Sequence, residues 1–106
     1  MSFLNPRECT DEQIMAFWTW FEKNEGKLTE RDGSKRTHAL RETQQQVKEL
    51  FPACPDAVNV TTMPDGDRWA LYLSYGGRPY AKKSACRIRV LMPALLQGKW
   101  SMEVSK

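Results

Sequence analysis

A chain of 106 residues, 41% hydrophobic and 27% charged, has the composition of one globular domain that holds a core without disulfide or metal cross-links. This composition excludes global disorder, and no apolar run approaches the roughly 18 residues of a membrane span. The opening segment, MSFLNPRECTDEQ, lacks the basic and apolar regions of a secretory signal, so none is predicted.

The net charge of +3 is spread unevenly along the chain. Residues 1–54 carry eight basic and nine acidic side chains, whereas residues 55–106 carry eight basic and four acidic ones. No acidic residue lies between Asp67 and Glu103. The basic C-terminal half is therefore the main electrostatic feature of the chain, and it favours an acidic or phosphate-bearing partner.

Cysteine and histidine are sparse. The chain has three widely spaced cysteines, Cys9, Cys54 and Cys86, and a single histidine, His38. A secreted domain usually pairs its cysteines, so the odd number predicts a reducing cytoplasm. A zinc site of ordinary ligands would have to gather all four side chains from distant points. We therefore predict no metal and no other cofactor.

The first helix is predicted to begin after Thr10. Thr10 and Gln13 have the spacing of a capping box, in which each side chain bonds to the backbone N–H of the other residue. The apolar residues that follow share one helical stripe: Ile14, Phe17, Trp18, Phe21 and Leu28. We predict that this stripe faces the core. Trp20, at its edge, is either a lid over the core or a contact for a partner.

A second helix follows a polar loop, with Asp32 or Ser34 as its expected cap. It is predicted to run to Phe51, because Pro52 disfavours the helical conformation in the residue before it. Its apolar face is thin: Leu40, Val47, Leu50 and Phe51. The polar residues beside this face are expected mostly toward water: Gln44, Gln45 and Gln46.

A β-hairpin is predicted over residues 58–75. Two runs alternate between inward and outward positions, with these residues inward: Val58, Val60 and Thr62, then Trp69, Leu71, Leu73 and Tyr75. Met63-Pro64-Asp65-Gly66-Asp67 predicts a turn between them, since proline fixes φ and Asp-Gly tolerates positive φ. Gly76 and Gly77 end the second strand.

Residues 79–92 fit two periods. As a helix, they would place on one face Ala81, Ala85, Ile88, Met92 and Leu95, and Val90 would lie off that face. As a strand, they would place inward Cys86, Ile88, Val90 and Met92, and Leu91 would be the exception. Pro93 argues against a helix that continues to Leu96. The alternation of Trp100, Met102 and Val104 then predicts a short final strand.

Both ends of the chain carry a distinctive residue pattern. The first helix has its aromatic run from Phe17 to Phe21, then Asn24-Glu25 and Leu28, and the tail has Met92-Pro93-Ala94-Leu95, Gly98 and Trp100. This pattern resembles a group of small bacterial domains of unknown function. The resemblance implies the element order α-α-β-β-α-β and favours a helix over residues 79–92. It implies no activity and no catalytic residue.

These elements predict a single α+β domain over residues 1–106. Two N-terminal helices pack on a small, mainly antiparallel sheet, in the order α-α-β-β-α-β. The alternative makes residues 85–92 a strand, which gives the order α-α-β-β-β-β and a four-stranded meander under two helices.

The basic segment and its aromatic neighbours form the predicted partner-binding surface: Trp20, Arg78, Tyr80, Lys82, Lys83, Arg87 and Arg89. We predict a non-enzymatic cytoplasmic binding module that recognises another protein, such as an adaptor, an inhibitor or an immunity-type accessory protein. The alternative is nucleic-acid binding through the cations of residues 78–89. A small enzyme that uses Cys86 or His38 is a third hypothesis.

Overall fold

A computed structural model of the protein describes residues 9–106, except for the side chain of Tyr80. The expectation about a secretory signal concerns mainly residues 1–8, which lie outside the described residues. The elements in chain order are α1 (Asp11–Leu28), α2 (Gly33–Lys48), a 3-10 turn (Pro55–Ala57), β1 (Asn59–Asp65), β2 (Arg68–Ser74), α3 (Pro79–Val90), α4 (Ala94–Gln97) and β3 (Trp100–Ser105). Within residues 9–106, no helix combines the length and the hydropathy of a membrane-spanning segment.

The element order confirms the predicted α+β class. Two helices precede a hairpin, a third helix and a final strand, and the short helix α4 is inserted before β3. Because residues 79–90 form α3, the four-stranded meander is not formed.

The first helix begins with the predicted capping box. Thr10 Oγ1 accepts from the Gln13 N–H at 3.1 Å, and the Thr10 N–H donates to Gln13 Oε1 at 2.8 Å. The whole predicted stripe is buried: Ile14, Phe17, Trp18, Phe21 and Leu28. Gly26 lies inside the helix, which ends at Leu28. The crowded rings are therefore core, and burial of each large ring contributes about 2–3 kcal/mol.

The second helix is shorter than predicted. Asp32 caps it by accepting from the Ser34 N–H at 2.9 Å, and the helix ends at Lys48 rather than at Phe51. Beyond Lys48 the chain tightens, because the N–H groups of Leu50 and Phe51 bond to carbonyls three residues back.

The buried face of α2 consists of smaller residues than predicted. Ala39, Thr43 and Val47 are buried, and the Thr43 hydroxyl donates to the Ala39 carbonyl at 2.8 Å. Gln44 is half-buried rather than turned to water, since its Nε2 donates to the Val60 carbonyl of β1 at 2.8 Å. Alanine and threonine give little hydropathy signal, which is why the pattern in the sequence did not mark this face.

The sheet has the strand order β1-β2-β3. β1 and β2 pair antiparallel through a tight turn at Gly66-Asp67, where Gly66 has a φ of 62°. β2 and β3 pair in parallel, because α3 and α4 carry the chain back across the sheet. The sheet is thus mixed, with one antiparallel and one parallel pairing.

Helix α3 confirms most of the predicted helical face. The buried residues of that face are Ala81, Ala85, Ile88 and Met92. Val90, off the face, is 76% exposed. Leu95 was expected on the buried face but is 86% exposed. The helix ends at Val90 and α4 starts after Pro93, so the helical phase that would have buried Leu95 is lost.

The helices cover one face of the sheet. That face carries the buried residues Val60, Leu71, Leu73, Trp100 and Met102. Helix α1 lies in the middle of the helical layer: Trp18 Nε1 donates to the Ile88 carbonyl of α3 at 2.9 Å, and Phe17 lines a small cavity with Gln46 of α2. The opposite face of the sheet is open, and it exposes Thr61, Tyr72 and Glu103.

Candidate functional site

Two cations of the basic C-terminal half are held by carboxylates of α1. Arg87 forms an ion pair with Asp11, and its Nη1 donates to the Cys9 carbonyl at 2.9 Å. Lys99 Nζ lies 3.7 Å from Glu25 Oε1. These contacts fasten α3 and the start of β3 to the first helix, so their first role is structural.

Three other cations, at or just before α3, form no ion pair with any residue of the described part of the chain: Arg78, which precedes the helix, and Lys82 and Arg89 within it. All three are exposed. Residues spaced by four, seven and eleven lie within a narrow arc of a helix with 3.6 residues per turn, so the three share one flank of α3. We call this row the basic stripe, and it extends about 16 Å along the helix.

The basic stripe faces the outer edge of the sheet. Arg87 contacts α1 from one flank of α3, whereas Arg89 lies on the other flank and lines an open cavity with Trp100 and Met102 of β3. β3 is the last strand in the sheet. Because Arg78 and Lys82 share the flank of Arg89, the stripe runs beside the outer edge of β3, which no other strand within residues 9–106 covers, on the side of the molecule away from α1.

The cavity lies at the C-terminal end of the stripe and has a volume of about 440 Å³. Its lining combines apolar side chains with two guanidinium groups: Val90, Met92, Met102, Arg68 and Arg89. Arg68 is positioned by its Nη1, which donates to the Gln97 carbonyl at 3.3 Å. Arg68 and Val90 were not among the residues predicted for the site. The sequence contains one indication of Val90, because this apolar residue lies off the buried face in the helical pattern.

Trp20 lies apart from the basic stripe. It is half-buried, packs against the core, and its ring stacks on Phe17 with centroids 6.3 Å apart. Phe17 is on the side of α1 that faces α2, whereas Trp18 is on the side that faces α3. The structure thus separates Trp20 from the stripe by the width of α1.

Two further predicted site residues, Lys83 and Arg87, do not extend the stripe. Lys83 is exposed and lies four residues before Arg87, on the flank of α3 away from the stripe. Both Lys83 and Arg87 have interaction partners. Tyr80 lies in the first turn of α3, and its side chain is outside the described part of the structure.

The open face of the sheet is not a cationic surface. Tyr72, at its centre, pairs with Thr61 on β1 and with Glu103 on β3. A tyrosine flanked by a carboxylate does not favour stacking of a nucleic-acid base, because the phosphates of the strand would meet the negative charge. The cations of α3 lie in the other layer of the molecule.

The fold does not bring the two candidate reactive side chains, His38 and Cys86, close to each other. His38 is exposed on α2, where its Nε2 lies 3.2 Å from Glu42 Oε1, and Cys86 is half-buried on α3. Helix α1 packs between these two helices. The three cysteines are unpaired, and no group of three or more His, Cys, Asp or Glu side chains that could hold a metal occurs within residues 9–106.

Burial of Cys9 has a measurable consequence. Desolvation raises the pKa of this thiol above its usual value, and the nearby Arg87 opposes that shift only in part. Above about pH 8.5 the unfolded chain ionises at Cys9 while the folded chain does not, so the free energy of unfolding falls as pH rises toward the raised pKa.

We expect this thiol to contribute a slope of up to about 1.4 kcal/mol per pH unit in that window. Urea denaturation of the wild type and of Cys9→Ala, at a series of pH values between about 7 and about 10, measures the slope. The substitution should flatten the decline. Parallel curves for the two proteins over the whole range would contradict the prediction.

Comparison with protein-family models, with curated proteins and with solved structures finds no match to this chain. The resemblance of the two chain ends to small bacterial domains stays a prediction.

Proposed function

We propose that the protein is a non-enzymatic cytoplasmic binding module that recognises an acidic protein partner through the basic stripe. A role as an adaptor, an inhibitor or an immunity-type accessory protein fits such a module. The unpaired state of all three cysteines supports a reducing compartment.

The observation that supports the proposal best is that the cations fall into two groups, one paired with carboxylates of the fold and one without such pairs among the described residues. The fold holds Arg87 and Lys99 against carboxylates of α1, while Arg78, Lys82 and Arg89 have no ion pair within residues 9–106. Unpaired cations in a row, beside an apolar cavity, are complementary to carboxylates on a protein. Charge of this kind accelerates encounter and selects against basic partners.

Nucleic-acid binding is less well supported by the same geometry. The five cations of residues 78–89 divide between two flanks of α3, which leaves at most three of them to any one groove. The one described tyrosine on an open surface, Tyr72, lies beside Glu103 in the other layer. A duplex or a single strand would find neither a continuous basic track nor a stacking platform there.

The test is a charge reversal with a matched control. In the double variant Lys82→Glu with Arg89→Glu, the stripe keeps one of its cations, and we expect capture of the partner from a nuclease-treated lysate to fall at least about tenfold. The control, Lys35→Glu with Arg41→Glu, makes the same change in net charge at exposed positions of α2. It should leave capture near the wild-type level.

The outcomes separate the hypotheses. Equal loss of capture in both variants would mean that net charge alone matters, which contradicts a docking role for the stripe. Capture that occurs from an untreated lysate but not from a nuclease-treated one, with retention on a phosphate-bearing resin that falls steeply as salt rises, would replace the protein partner with a nucleic acid.

A further inference from the structure

The two edges of the sheet differ in whether their outward backbone groups have hydrogen-bond partners. On β1, Gln44 donates to the Val60 carbonyl, so one outward backbone group of that edge already has a partner. Pro64 lies in the same strand and has no N–H to offer. Both features discourage another strand from pairing with β1. Natural edge strands often carry protection of this kind.

The outer edge of β3 has no comparable cover among the described residues. The N–H groups of Trp69 and Tyr75 donate to the carbonyls of Lys99 and Ser105, at 3.0 Å and 3.1 Å. Backbone groups alternate in direction along a strand, so the N–H and C=O groups that point away from β2 belong to Trp100, Met102 and Val104. No other described strand pairs with them.

The surroundings of this edge specify the chemistry of an added strand. Side chains on its helix-facing side would lie under the basic stripe, where carboxylates meet Arg78, Lys82 and Arg89. At the Trp100 end, the open cavity beside Val90 accepts one apolar side chain. The other side would continue the open face of the sheet, whose exposed residues are largely polar.

We propose that the partner binds by strand addition: an extended segment, with acidic residues and one apolar residue on alternate positions, pairs with the free edge of β3 beneath the basic stripe. This inference rests on the proposed function and specifies its binding mode. Main-chain hydrogen bonds to three outward residues give affinity, and the stripe and the cavity give selectivity.

A second copy of the chain fits the same edge less well. Pairing of β3 with β3 would bring two basic stripes to the same junction, and like charges across an interface oppose association. We therefore expect a monomer at low ionic strength, and the acidic segment as the occupant.

The test uses two synthetic peptides with blocked ends, Thr-Glu-Thr-Glu-Thr-Leu-Thr and its reversed sequence, titrated against the full chain. At least one should bind saturably. Each is also made in two N-methylated forms, with alternate backbone amides blocked in one phase or in the other. Strand addition directs every second amide at β3, so one phase should lose at least about tenfold in affinity and the other less than about twofold.

A protein variant tests the same edge from the other side. Val104→Pro removes an outward N–H without removing a bond to β2, as Pro64 does in β1, and should weaken the peptide about fivefold. Val104→Ala keeps the N–H and is the control. Thermal melting shows whether each variant is folded. The N-methylated peptides are titrated against the wild type, so that test does not depend on whether a variant folds.

Equal effects of the two N-methylation phases would overturn strand addition. If charge reversal at Lys82 and Arg89 still weakened the peptide in that case, the proposed function would stand with a different binding mode. If charge reversal had no effect either, both proposals would fail. Failure of both peptides to bind, or a dimer of the free protein that Val104→Pro dissociates, would also overturn the acidic segment as the occupant.

Discussion

The variant Trp18→Ala should lose about 3–5 kcal/mol of folding free energy, which is a large part of the 5–15 kcal/mol available to a typical domain. Trp18 is fully buried and lies in the cluster of rings that joins α1 to the sheet: its ring meets Phe21 edge-on, and Phe21 meets Trp100 in the same way. Removal of the indole leaves a cavity that the surrounding helices fill only in part.

The indole N–H adds a second loss. It donates to the Ile88 carbonyl, which lies in the last turn of α3, where carbonyls lack intrahelical donors. The nearby Met92 N–H bonds to Arg89 instead, so Trp18 supplies a donor that the helix end needs. An orphaned buried carbonyl costs about 1–3 kcal/mol.

Trp18→Phe is the matched control, since it keeps most of the apolar surface and removes the donor. Urea denaturation should place this variant between the wild type and Trp18→Ala, with a loss of about 1–3 kcal/mol. A loss below about 1 kcal/mol for Trp18→Ala would show that the ring is not in the core, and the architecture described for α1 would be wrong.

The second large effect is expected at the junction between β2 and α3. Gly76 has a φ of 67°, and a Cβ there would lie 2.8 Å from the Ala57 carbonyl oxygen and 3.0 Å from the Ala57 Cβ. Gly76→Ala therefore combines a strained backbone with a collision against the 3-10 turn, and should cost about 3 kcal/mol or more. The same shift would displace Arg78, the first residue of the stripe.

Gly77 offers the control one residue away. Its φ is 71°, but a Cβ there would meet nothing within 4 Å. Gly77→Ala should thus cost only the backbone strain, about 1–2 kcal/mol. Chemical denaturation of both variants separates the two causes. Equal losses would mean that the close approach to Ala57 is not rigid.

The sequence predicted the elements whose signals are local. The capping box at Thr10, the five-residue stripe of α1 and a turn within residues 63–67 depend on spacing within a few residues, and the structure has all three, with the turn at Gly66-Asp67. Residues 79–92 fit both periods, because Ile88 and Val90 alternate with two arginines. In the structure residues 79–90 form a helix, and the Ile88 carbonyl accepts from Trp18, which lies 70 positions away in the sequence.

The arrangement of the site could not be predicted in the same way. Helical spacing predicts that Arg87 and Arg89 lie on different flanks, but not that Asp11, which is 76 positions from Arg87, pairs with Arg87. The parallel pairing of β3 is also nonlocal, and it determines which edge of the sheet is free. The alternation of apolar and polar residues predicts which side chains of a strand are buried against the helices. It does not predict which residues lie next to an exposed cation.

The most direct measurement for the proposed docking surface is amide hydrogen exchange, resolved by residue, with and without the acidic peptide. In the free protein, the amides of Ser101, Glu103 and Ser105 should exchange slowly, because they face β2. The outward amides of Trp100, Met102 and Val104 should exchange faster and become protected when the peptide binds. Protection that appears on α2 or on the open sheet face, with these three amides unchanged, would contradict the account.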